Sequence, residues 1–133
     1  MANLSYSTIA RRTPLHERIL ANLPVQVSWV DEESGETISV SGLTENIGEN
    51  SALVNLETLP SVGSRVNLTV FDEDKAIIEC PTEVIRVERD PSKPLAALSV
   101  VDNLKKWKQK AMTAAQEWVT RNWQLNYEEE WVN

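Results

Sequence analysis

Between Pro24 and Val101 the chain keeps returning to one short pattern, apolar residues at every second position, cut by polar turn clusters. Successive side chains on an extended backbone face opposite ways, so this period calls for half-buried strands. Val25, Val27 and Trp29 point one way; Gln26, Ser28 and Val30 point the other. Asp31-Glu32-Glu33-Ser34-Gly35 then reads as a turn, with Gly35 where a positive φ is expected, and a second strand runs from Glu36 to Leu43. Ala52 to Leu56 is the next strand and Pro60-Ser61-Val62-Gly63 the next turn. Val66, Leu68 and Val70 alternate within Arg65 to Phe71, although Phe71 breaks the rule, and Asp72-Glu73-Asp74-Lys75 is a hairpin tip. Ala76 to Glu79 and Glu83 to Glu88 are strand-like, with Pro81 marking an edge or a bulge, and Leu95 to Val101 makes the last strand. Six or seven short strands at this spacing fit a small barrel or sandwich.

At Asp102 the period changes. Leu104, Trp107, Ala111, Ala114 and Trp118 step along one helical stripe, with Asp102 or Asn103 as N-cap. The sequence thus divides into a flexible basic arm over 1–23, a β-barrel over 24–101, and a C-terminal helix with an acidic tail over 102–133. Trp107 and Trp118 are expected to pack the helix on the barrel mouth. Trp123 and Trp131 are candidates for a surface that binds a protein partner or a second copy, because large exposed aromatics are costly without such a use.

Charge and composition exclude several functions. With 20 acidic against 13 basic residues the net charge is −7, the wrong sign for a DNA, RNA or anionic-membrane binder. One Cys and one His leave no basis for a multi-ligand metal site or a Cys–His nucleophile pair. No Gly-rich phosphate loop is present, so the chain reads as a non-enzyme with no resident cofactor. No stretch has the length of a signal peptide or membrane span, which predicts a cytoplasmic protein without membrane insertion.

Two features rise above this background. One is the arm Arg11-Arg12-Thr13-Pro14-Leu15-His16-Glu17-Arg18, which is locally basic on an acidic chain. The other is Thr44-Glu45-Asn46-Ile47-Gly48-Glu49-Asn50-Ser51-Ala52-Leu53 at the start of the third strand. With Leu23-Pro24-Val25-Gln26-Val27, the acidic-Gly turn, Gly63 ahead of a Val-Asn-Leu strand, Val84-Ile85-Arg86-Val87 and the closing helix, their order resembles the PilZ domain. The resemblance spans roughly residues 11 to 120. It implies a mainly β fold, a six-stranded antiparallel barrel with a long C-terminal helix, and a receptor for the bacterial messenger cyclic di-GMP.

That family writes its ligand motifs as R-x-x-x-R followed by [D/N]-x-S-x-x-G. Arginines clamp phosphates and reach or stack on guanine, while the second motif offers an amide or carboxylate, a hydroxyl and an open Gly. Carried onto this sequence, the resemblance implies ligand contacts from Arg11, Arg12, Arg18, Asn46, Gly48 and Ser51. Asn46 matches, but Gly48 stands at the Ser position and Ser51 at the Gly position. Neither Arg11 nor Arg12 has an Arg at the required spacing, and counting back from Pro24 makes Arg18 the second Arg. Two readings follow: a cyclic di-GMP receptor with a variant site that relays to a partner protein, or a PilZ-like protein-interaction module that no longer binds the messenger.

Overall fold

The computed structural model describes residues 18–132, with side chains through residue 122; Arg11, Arg12 and His16, and the side chains of Trp123 and Trp131, lie outside the described set. Six strands follow in chain order: β1 (Pro24–Val30), β2 (Thr37–Ile47), β3 (Ser51–Leu56), β4 (Arg65–Asp72), β5 (Lys75–Glu88) and β6 (Leu95–Val100). They form one closed barrel in the spatial order β1-β2-β3-β6-β5-β4, every pair antiparallel. Closure comes from β1 against β4, with Val27 opposite Leu68 and Val25 opposite Val70. The alternation predicts six or seven strands in a barrel or sandwich, and the structure has the six-stranded antiparallel barrel with a C-terminal helix that the resemblance implies.

The inward residues of each strand fill the lumen. Val25 and Val27 on β1, Val54 and Leu56 on β3, Leu68 and Val70 on β4, and Leu98 on β6 are all buried in one cluster. Each such side chain contributes about 1.5–3 kcal/mol relative to exposure. Turn chemistry sets the corners. Gly35 takes φ 74 in the first hairpin, and at the β4–β5 tip Glu73 (φ 51) and Asp74 (φ 68) are both left-handed, the geometry of a type I′ turn.

Two strands depart most from their sequence reading. β2 continues four residues past Leu43, because its inward set Ile38, Val40, Gly42, Thr44 passes through a polar residue that pattern reading treats as a strand end. A bulge between Thr44 and Asn46 then resets the phase, so Ile47 is again buried. β5 is one strand rather than two. Pro81 lies within it opposite Asn67 of β4, and Thr82 at the next inward position is buried with its hydroxyl donating to the Val66 carbonyl at 3.1 Å. Val101 donates to the Pro81 carbonyl at 3.3 Å, and the return bond a proline cannot give coincides with the end of β6. Phe71 falls where the β4–β5 register shifts, which accounts for its broken alternation.

Past β6 the chain turns through Asn103, held at φ 60 with its amide on Asp102 Oδ1 at 2.9 Å. Asn103 occupies the N-cap position without its side chain capping. The helix begins as α1 (Leu104–Trp107), widens to a π-helical segment at Lys108–Met112, and continues as α2 (Thr113–Val132). Trp107 is fully buried, and Ala111, Ala114 and Ala115 join it in the barrel's cluster, with Trp118 partly buried against them. Arg121 also reaches back to Asp72 at 3.6 Å.

Candidate functional site

The segment before β1 is tied down chiefly around one residue, Thr44. Thr44, fully buried on β2, accepts the Leu23 amide on Oγ1 at 2.8 Å and donates the same hydroxyl to the Ala21 carbonyl. Its own amide donates to the Leu23 carbonyl at 2.9 Å, and its carbonyl accepts Asn22 Nδ2 at 2.8 Å. Ile19 then pairs with Ile47 through both backbone bonds, at 2.8 and 2.9 Å. These bonds lay residues 19–23 along β2 and deliver Arg18 to the β2–β3 hairpin.

That hairpin carries the motif predicted for the start of the third strand; the structure sets it astride the turn, with Asn46 on β2 and Ser51 opening β3. Arg18 bridges the two arms. Its Nε donates to Asn46 Oδ1 at 2.8 Å and its Nη1 to Ser51 Oγ at 2.7 Å. Gly48 closes the turn by donating its amide to the Ser51 carbonyl at 2.7 Å. A β-carbon at position 48 would stand 2.7 Å from Arg18 Nη1 and 3.3 Å from Ser51 Oγ. The Ser51 hydroxyl thus stands beside position 48, in space that Gly48 leaves open. Four of the six residues implied for the ligand, Arg18, Asn46, Gly48 and Ser51, meet at one place.

Arg18, Asn46 and Ser51 line a cleft of about 360 Å³ on the barrel's outer wall, with Ala52, Leu53, Ile85, Arg86 and Ala97. Its floor crosses β2, β3, β6 and β5, because Asn46 is opposite Leu53, Leu53 opposite Ala97, and Ala97 opposite Arg86. Ile85, Arg86, Leu53 and Ala97 are additions that the sequence reading missed. A bulge between Val84 and Arg86 turns both Ile85 and Arg86 outward, and two adjacent outward residues in Val84-Ile85-Arg86-Val87 were the available signal.

The site's chemistry is that of a hydrogen-bond donor. Both partners of Arg18 are neutral, so its charge is oriented without being cancelled. Burial, and then the positive charge of Arg86, hold its guanidinium below the usual arginine range. Only part of its five-donor fork is engaged. Asn46 offers its carbonyl oxygen to Arg18, which leaves its amide hydrogens for an incoming acceptor, and Ser51 keeps its hydroxyl proton. Donors of this kind suit phosphate oxygens and the O6/N7 edge of guanine. By contrast, a larger groove, about 860 Å³ at the other end of β1, is edged by Asp31, Glu32 and Glu33 and repels anions.

The hairpin also touches the helix. Trp107 Nε1 donates to the Gly48 carbonyl at 2.9 Å from a fully buried position. Among the described residues, no cluster of three or more His, Cys, Asp or Glu side chains could hold a metal ion, and no helix is long and apolar enough to cross a membrane.

No family model matches this sequence, and no curated protein does. Solved structures do match the fold. The PilZ domain of YcgR from Escherichia coli, solved with c-di-GMP, aligns with a TM-score of 0.58 and 13% identity over 84% of this chain and 94% of that one. MotI/DgrA, an inhibitor of motility from Bacillus subtilis, aligns with a TM-score of 0.54 and 25% identity over 82% of this chain. This chain spans about half of that protein's length, 49%. The chain has a PilZ-like fold, the barrel type on which the YcgR domain holds c-di-GMP.

Proposed function

We propose that this chain is a cytoplasmic receptor module for cyclic di-GMP that relays occupancy to a partner protein. The observation that carries the reading is the Arg18–Asn46–Ser51 constellation, two short bonds from one arginine across a hairpin that borders a cleft. Arg18 and the cleft's backbone-fixed donors receive the ligand's phosphates and guanine edges, and Arg11 and Arg12 add charge from the preceding segment. The contact from Trp107 to Gly48 gives occupancy a route to the C-terminal helix, where Trp123 and Trp131 offer the partner surface.

Calorimetric titration with cyclic di-GMP at low salt tests this. Heat is expected at ligand concentrations up to about 100 μM, corresponding to binding stronger than about −5.5 kcal/mol. Arg18→Ala and Asn46→Ala should each weaken binding about ten- to a hundredfold, the worth of a charge-assisted bond. A folded wild-type protein that takes up no ligand sinks the receptor reading and leaves the protein-interaction module.

A further inference from the structure

The cleft has a second cation on its far wall. Asn46, Leu53, Ala97 and Arg86 lie on one line across four adjacent strands, so Arg86 sits about 14 Å from Asn46 along the backbone, three strand spacings. Between them the floor is Leu53 and Ala97, and Ala97, the neighbour of Arg86, contributes a single methyl group. The β5 bulge aims the Arg86 side chain outward beside Ile85, which is 52% exposed. Among the described residues, no carboxylate lines this cleft. Arg86 is close enough for its charge to bear on Arg18 across the gap. Two like charges over one trough repel, and an anion placed between them removes that repulsion. Until then, Arg86 pairs with Glu88 at 3.0 Å, an exposed pair of small worth that a better acceptor displaces.

We infer that Arg86 is a second phosphate-holding residue of this cleft, exchanging Glu88 for a phosphodiester of the bound dinucleotide from the wall opposite Arg18. This rests on the receptor reading above. A fork-shaped guanidinium fits a phosphodiester's two free oxygens, whereas Glu88 offers only a solvated contact that salt screens. The pairing with Glu88 then sets the affinity as a competitor, so the two residues act with opposite sign.

Calorimetry with cyclic di-GMP on the full chain, with thermal melts to confirm folding, tests it. Arg86→Gln should weaken binding about tenfold, equivalent to 1.4 kcal/mol. The affinity of that variant should also fall less steeply with added salt than the wild type's. Arg86→Lys should recover part of the loss, because a point charge still attracts phosphate. Glu88→Gln should tighten binding two- to fivefold by releasing Arg86. If the wild type binds but Arg86→Gln binds equally well, the inference is overturned while the receptor reading stands. Failure of Arg86→Lys to recover any affinity overturns the phosphate assignment. A wild type that binds nothing overturns both.

Discussion

Replacing Thr44 by Val separates two accounts of how the segment before β1 is held. Position 44 is fully buried, and Val has nearly the shape of Thr, so apolar burial alone predicts that Thr44→Val is neutral or stabilising. The hydrogen-bond geometry predicts the reverse. The hydroxyl satisfies both the Leu23 amide and the Ala21 carbonyl, on residues that are each 1% exposed. Losing it orphans one buried donor and one buried acceptor, at about 1–3 kcal/mol apiece, so the expected cost is about 3 kcal/mol. With a urea slope of about 1.5 kcal/mol/M, the unfolding midpoint falls by about 2 M. Thr44→Ser is the control, since it keeps the hydroxyl and removes one methyl group worth about 1 kcal/mol. The stability order should therefore be wild type, then Ser, then Val. A Val variant at least as stable as the Ser variant refutes the reasoning. Because the same clip delivers Arg18 to the hairpin, the Val variant should also bind cyclic di-GMP more weakly at temperatures where it is still folded.

Three further outcomes follow from other parts of the barrel. Trp107→Phe keeps an aromatic ring in the core but leaves the Gly48 carbonyl without its indole donor, so stability should fall by about 2 kcal/mol in urea unfolding. A loss below about 0.5 kcal/mol would show that this bond contributes little. Gly42→Ala would put a β-carbon 2.1 Å from the Asn55 backbone oxygen, so β2 and β3 must part, and a loss of about 3 kcal/mol or a failure to fold is expected. A Gly42→Ala protein within about 1 kcal/mol of wild type contradicts that close approach. Burial, and then the Glu79 charge, push the Cys80 thiol from 9.0 up to about 11. The raised value favours the neutral thiol in the folded state, so its contribution to stability is full below 9.0 and disappears as pH rises through about 11. Cys80→Ser should flatten the stability profile in that window, and iodoacetamide at pH 8 should label Cys80 in urea much faster than in the native protein.

Strand positions were legible because most inward residues are Val, Leu or Ile, and the period is strict wherever the ladder is regular. It failed where the inward residue is polar or the ladder is bulged. Thr44 and Thr82 are buried through hydrogen bonds that no hydropathy pattern records, and they hid the end of β2 and the middle of β5. The candidate site divides in the same way. Arg18, Asn46, Gly48 and Ser51 could be named from motif order, but motif order does not show how positions 48 and 51 lie relative to each other. Only the hairpin shows that the two positions face each other beneath Arg18, so that one change makes room for the other. Arg86 was hidden for a different reason. It comes from a strand distant in sequence from the hairpin, and the bulge that aims it is a property of register rather than composition.

Because β1 pairs with β4 as well as with β2, the sheet is a ring in which every strand already has two neighbours. A ring has no rim on which another chain's backbone can template itself. Strand addition, a recurring way for one β-protein to grip another, would require this barrel to open first. Recognition must therefore be written in side chains, on the outer wall or along the helix. Such a surface can be rewritten one residue at a time while the ladder beneath it stays intact.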